Sequence, residues 1–164
     1  MSAPVRVRPA REEDVHAIDR LVHELAEYER EPDAVLATAD DFHAALFGPN
    51  PLVHCLVAEA DAEGSVEVVG FAVWFVSFST WRGRHGIYLE DLFVRPDRRG
   101  SGLGRALLRE LARICVERGY ARLEWNVLDW NEPALGFYRA LGAEALDTWT
   151  MHRISGEALE RLAR

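Results

Sequence analysis

Apolar side chains along this chain of 164 residues recur with two periods. In residues 12–28, Val15, Ile18, Leu21, Val22 and Leu25 fall at helical spacing and predict an amphipathic helix that Pro32 ends. Leu103, Ala106, Leu107, Leu111, Ile114 and Cys115 repeat that spacing and predict a second helix opening at Gly102. A short helix is expected from an N-cap at Thr38 through Phe47, and a turn at 48–51. Asn131 as N-cap, Pro133 in the first turn and Gly142 as C-cap frame a helix to Leu141. Ser155 caps a last helix over 156–162. Runs rich in β-branched and aromatic residues predict strands at 5–8, 53–60, 66–78 (with Gly70 inside), 87–94, 122–128 and 148–154. A hairpin turn at 61–65 and a loop at 79–86 join the middle strands. The order β-α-α-β-β-β-α-β-α-β describes one α/β domain over residues 1–164. Its expected sheet is mixed, with a helix crossover into a parallel neighbour and helices on both faces.

The most informative stretch runs from Tyr88 to Leu108. An apolar strand leads into a turn with Pro96, Gly100, Gly102 and Gly104, and the turn opens a helix. The first amides of a helix lack partners and its dipole favours negative charge, so such a turn suits a phosphate. Arg95, Arg98, Arg99 and Arg105 add positive charge. By itself the pattern is equally that of a plain surface turn. The chain has no lysine, which excludes a Gly-Lys-Ser/Thr phosphate loop. The glycines are spaced G-x-G-x-G, with Arg105 where a dinucleotide fingerprint has its third glycine.

Charge and composition narrow the classes. A net charge of −8 argues against a nucleic-acid partner and is compatible with a cationic substrate. No apolar run approaches a membrane span, and no signal-peptide pattern opens the chain. Cys55 and Cys115 sit in apolar runs without metal-ligand spacing, and the six histidines are scattered, so no metal is expected and a reducing cytoplasm is the default. Two features remain open on pattern alone. Alternation along a strand points Glu90 and Asp91 to opposite faces. They are either an edge acid and a turn cap, or a general base and an anchor for a cationic substrate. Tyr138 is either a core aromatic or a proton donor.

Arg99-Gly100-Ser101-Gly102-Leu103-Gly104, after a strand and opening a helix, resembles the acyl-CoA loop of the GCN5-related N-acetyltransferases. His54-Cys55-Leu56-Val57-Ala58-Glu59, Val69-Gly70-Phe71-Ala72, Tyr88-Leu89-Glu90-Asp91, Trp130-Asn131-Glu132-Pro133 and Phe137-Tyr138 resemble the diamine acetyltransferase branch of that family. Ser79-Thr80-Trp81-Arg82-Gly83-Arg84 and Val127-Leu128-Asp129-Trp130-Asn131 are more similar to its thialysine-acetylating members. The polyamine enzymes have Asp-Pro where this chain has Ser79-Thr80.

The resemblance implies an acetyl-CoA-dependent enzyme acting on a primary amine, with a mostly antiparallel sheet and a parallel pair at the CoA site. It implies Glu90 at the amine and Tyr138 as acid for the departing thiolate. It assigns acetyl-CoA to the amides of Gly100, Ser101, Gly102, Leu103, Gly104 and Arg105, to Arg99, and to Asn131 and Pro133 beside Tyr138. Leu92, Phe93 and Val94 supply oxyanion amides. Tyr28, Glu29, Ser79, Thr80, Trp81, Asp91 and Glu124 match substrate contacts, and a homodimer is implied. A protein lysine or N-terminal acetyltransferase and a non-catalytic acyl-CoA-binding module are the other readings.

Overall fold

The computed structural model describes residues 6–62 and 64–164. Of the expected elements, Val5 and the hairpin residue Glu63 lie outside the described residues. The chain forms two compact units, Met1–Asn126 and Val127–Arg164.

The first unit holds a five-stranded sheet in the order β1 (Arg6–Pro9), β2 (His54–Ala62), β3 (Ser65–Ser79), β4 (Arg84–Val94), β5 (Leu123–Trp125). All neighbours are antiparallel except β4 and β5, which run parallel. A crossover helix between them makes the parallel pair possible. That helix is α3 (Leu103–Glu117); α1 (Val15–Tyr28) and α2 (Ala39–Phe47) lie between β1 and β2.

The core follows from strand alternation. Cys55, Val57, Phe71 and Phe93 point to one face and pack with Ile18, Leu21 and Leu25 of α1 and Leu46 of α2. The intervening Leu56, Ala58, Ala72 and Leu89 are buried on the other face, where α3 buries Leu107, Leu111 and Cys115. A clamp invisible in the sequence pattern ties the edge together. Arg8 of β1 bonds Asp14 at 2.6 Å and Glu59 of β2 at 2.7 Å, and the Arg11 amide donates to Asp14 at 2.7 Å. Thr38 caps α2, accepting from the Asp41 amide.

Three expectations are corrected. The 79–86 loop shortens to a turn at 80–83: Ser79 O accepts from the Gly83 amide at 2.8 Å, and Gly83 takes a left-handed φ of 61°. The 122–128 strand shortens to Leu123–Trp125. Its ladder with β4 ends at the pair Leu89–Trp125, next to a bulge in β4. The 148–154 strand does not form. Among the described residues no strand is assigned to 148–154, and Trp149, Met151 and Ile154 are exposed. The second unit consists of α4 (Glu132–Ala140) and α5 (Gly156–Leu162) with irregular connections.

Candidate active site

β4 carries the central features. Asp91 pairs with Val73 and Leu89 with Trp74, so Glu90 has no partner on β3. This bulge breaks the alternation expected for Glu90 and Asp91. Leu89 joins the α3 face, whereas Asp91 lies on the face of Val73 and Phe93, toward α1. Burial, the charge of Glu90 and the charge of Glu29 push the Asp91 carboxyl up to about 6. Glu90 itself is exposed. Glu29, just past the end of α1, is half-buried and raised by desolvation.

Tyr88 belongs to the same cluster, although sequence reasoning passed it over. It pairs with Glu124 across the parallel ladder and its ring lies 5.1 Å from that of Phe75. Burial, then Glu90, Glu124 and Asp91, raise its hydroxyl above the usual tyrosine value. The available signal was a tyrosine two positions from an acidic pair in a buried strand. Glu124 also holds Arg122 at 2.9 Å. The sheet and the end of α1 thus gather Glu29, Tyr88, Glu90, Asp91 and Glu124 into one negative site.

Past Leu89, β4 keeps β3 on one edge and has no β5 ladder on the other. Leu92, Phe93 and Val94 occupy this segment, which runs into the glycine turn. Gly100 and Gly102 have φ of 78° and 88°, conformations that favour glycine, with open space beside each. Gly102 is the N-cap of α3 and has no side chain to satisfy the helix amides. The first α3 bond runs from the Ala106 amide to Gly102 O, which leaves Leu103, Gly104 and Arg105 ahead of it. This cradle fits a pyrophosphate.

The basic side chains of the turn divide. Arg95 is held by Glu67 at 2.8 Å and by Asp97 at 3.0 Å, and Arg98 also faces Asp97. Arg99 stacks over Tyr28 at 4.4 Å and Phe93 at 5.5 Å, and donates to Val94 O at 3.0 Å. It joins the turn to the end of α1. The Ser101 hydroxyl closes the turn on Arg98 O at 2.6 Å.

Ser79, Thr80 and Trp81 are not part of this gathering. They sit at the far end of the β3–β4 hairpin, and the strand from Arg84 to Glu90 spans roughly 20 Å. Ser79 is buried, its hydroxyl accepting from the Arg82 amide, and Trp81 is 89% exposed. In the second unit, Asn131 caps α4 by accepting from the Ala134 amide, and Pro133 occupies the first turn. Tyr138 lies in the last turn of α4, its ring 5.4 Å from Phe137, its carbonyl accepting from Leu141 and Ala143. Among the described residues no His, Cys, Asp and Glu group has metal-binding geometry.

Comparison with known proteins agrees with this architecture. The family model described as the acetyltransferase (GNAT) family matches residues 16–143. The chain is 42% identical to a thialysine N-epsilon-acetyltransferase of Bos taurus, covering 97% of each chain. It is 28% identical to L-ornithine N5-acetyltransferase NATA1 of Arabidopsis thaliana, over 96% of this chain and 87% of that one. A solved integron cassette protein of V. cholerae superposes with a TM-score of 0.78 at 27% identity, covering 100% of this chain and 99% of the other. The chain belongs to the GNAT acetyltransferase family. It is an N-acetyltransferase that draws its acetyl group from acetyl-CoA.

Proposed function

We propose that residues 1–164 act as one catalytic domain that acetylates the primary amine of a small cationic acceptor. The class in view is a thialysine- or lysine-like amine or a di- or polyamine. The names of the thialysine and ornithine relatives support the amino-acid-like end of that range, as does Ser79-Thr80 in place of Asp-Pro. The observation that carries the reading is the acidic cluster around the β4 bulge, beside a turn that fits pyrophosphate.

Alkylamines have a pKa of about 10 and reach the enzyme as ammonium. Asp91, Glu29 and Glu124 hold that cation, and Glu90 takes its proton, directly or through water. Acetyl-CoA supplies an activated thioester to the freed amine. Amides of the Leu92–Val94 segment donate to the oxyanion as it forms. Asn131 holds the pantetheine arm, and Tyr138 returns a proton to the departing thiolate. No acyl-enzyme is required. Burial pushes the Cys55 thiol up to about 12 and raises that of Cys115, which makes both poor nucleophiles.

A homodimer gives the hairpin tip a role. One acceptor cannot touch Glu90 and Trp81 of the same chain across roughly 20 Å of strand, so in this reading the tip serves the acceptor site of a second copy. Free, buried cysteines suit a cytoplasmic location.

The test is CoA release from acetyl-CoA with thialysine, lysine, ornithine, putrescine, spermidine, spermine and a lysine peptide. Turnover with the free amines supports the reading. Turnover confined to the peptide, or CoA binding without acetylation of any amine, overturns it.

A further inference from the structure

The arginines of this acidic chain are mostly neutralised where they meet the sheet. Arg8 has Asp14 and Glu59, Arg95 has Glu67, and Arg122 has Glu124. The end of the sheet remote from the glycine turn is different. Among the described residues, Arg82, Arg84 and Arg118 have no carboxylate at ion-pair distance. Arg118 lies over Trp74 at 5.6 Å and over Tyr120 at 6.0 Å. Its charge acts on its surroundings, because burial and Arg118 together lower the His54 pKa.

Arg82 and Arg84 line one open hollow of about 560 Å³ with Tyr120 and Ala121. The turn that presents them is built, not loose. Ser79 is buried, its hydroxyl accepts from the Arg82 amide, its carbonyl accepts from the Gly83 amide, and Arg84 is paired in the β-ladder with Ser79. On the other wall, the Ala121 amide is fixed to His85 O at 2.8 Å and the His85 ring lies 5.8 Å from Tyr120. Arg82 and Arg84 are both exposed and open onto the same hollow, so an anion entering it meets two positive charges. Planar guanidinium forks beside a phenol suit an oxyanion.

We propose that this hollow is an oxyanion subsite, in which Arg82 and Arg84 hold a phosphate or carboxylate group against Tyr120. It is separate from the acidic cluster and the glycine turn of the same chain, and phosphate can occupy it without acetyl transfer.

The test is a residue-resolved NMR titration of the full chain with inorganic phosphate at constant ionic strength. Saturable shifts of the Arg82 and Arg84 side-chain NH groups and of the Tyr120 ring are expected. The Arg82→Ala/Arg84→Ala double variant should bind phosphate at that hollow at least tenfold more weakly. The Arg82→Lys/Arg84→Lys double variant should recover part of the affinity, and Arg109→Ala on α3 should match the wild type. Shifts confined to the glycine turn, or equal affinity at the hollow in the double alanine variant, overturn the proposal. Kinetics with lysine and with cadaverine, its analogue lacking the carboxylate, then distinguish the two sources of the group. A KM rise for lysine alone in the double variant assigns the acceptor's carboxylate. Unchanged KM for both, with phosphate binding lost, assigns a phosphate group.

Discussion

Glu90 stands beside Asp91 at a bulge, and its charge joins burial in holding the Asp91 carboxyl near 6. The more exposed neighbour thereby tunes the more buried one. An incoming ammonium would offset the desolvation of Asp91 by its opposite charge and favour the ionised carboxylate.

That arrangement strains the empty enzyme. A carboxyl whose pKa is raised on folding costs nothing where both states are protonated, below about 4. The cost grows between about 4 and 6 and is complete above. Asp91→Asn should therefore stabilise the unliganded protein at pH 7.5, on the order of 2 kcal/mol, with little effect at pH 4. Urea unfolding at the two pH values checks this.

The Arg8–Asp14–Glu59 clamp behaves oppositely. Burial alone would raise the Asp14 pKa, but the bonds from Arg8 and Arg11 hold it below its ordinary value. Its contribution is present above the unfolded aspartate pKa and is lost as pH falls through the lower folded value. Asp14→Asn should destabilise at pH 7 by about 2 kcal/mol, because part-buried Arg8 then keeps only Glu59 as its ion partner. KM for acetyl-CoA and amine should change less than twofold. Denaturant melts paired with steady-state kinetics test both parts.

Gly102 needs its left-handed φ of 88° at the N-terminus of α3. Gly102→Val should strain the turn by about 1–3 kcal/mol and raise KM for acetyl-CoA at least tenfold. The amine KM should change little. Initial rates with each substrate varied in turn separate the two effects.

Tyr138→Phe should lower kcat at least tenfold, within the range for loss of a general acid. Acetyl-CoA binding measured by calorimetry should stay within twofold of wild type. Near-normal turnover would remove Tyr138 from the reaction.

Much of this was legible in the chain. α1 and α3 announce themselves by apolar spacing, and Gly100 and Gly102 mark the turn because left-handed backbone favours glycine. The bulge at Glu90 was not legible, since it arises from the register of β4 on β3 and leaves no local signal. The same register ends β5 at Trp125. The run from Thr148 to Ile154 has strand composition but is irregular, because composition alone does not set the backbone. The clamp of Arg8, Asp14 and Glu59 joins residues distant in sequence, and only their shared burial reveals it. The distance from Trp81 to Glu90 required knowing that β3 and β4 form one long hairpin.

The most direct test of the acidic site is the pH dependence of kcat/KM for thialysine, in wild type, Asp91→Asn and Glu90→Gln. The account predicts a wild-type rate that falls as pH drops below about 6, as Asp91 is protonated. Asp91→Asn should lose that limb and show an amine KM raised at least tenfold. Glu90→Gln should lower kcat and shift activity to higher pH. Profiles that superpose for all three proteins would contradict the account, because the proton and the cation would then be handled elsewhere.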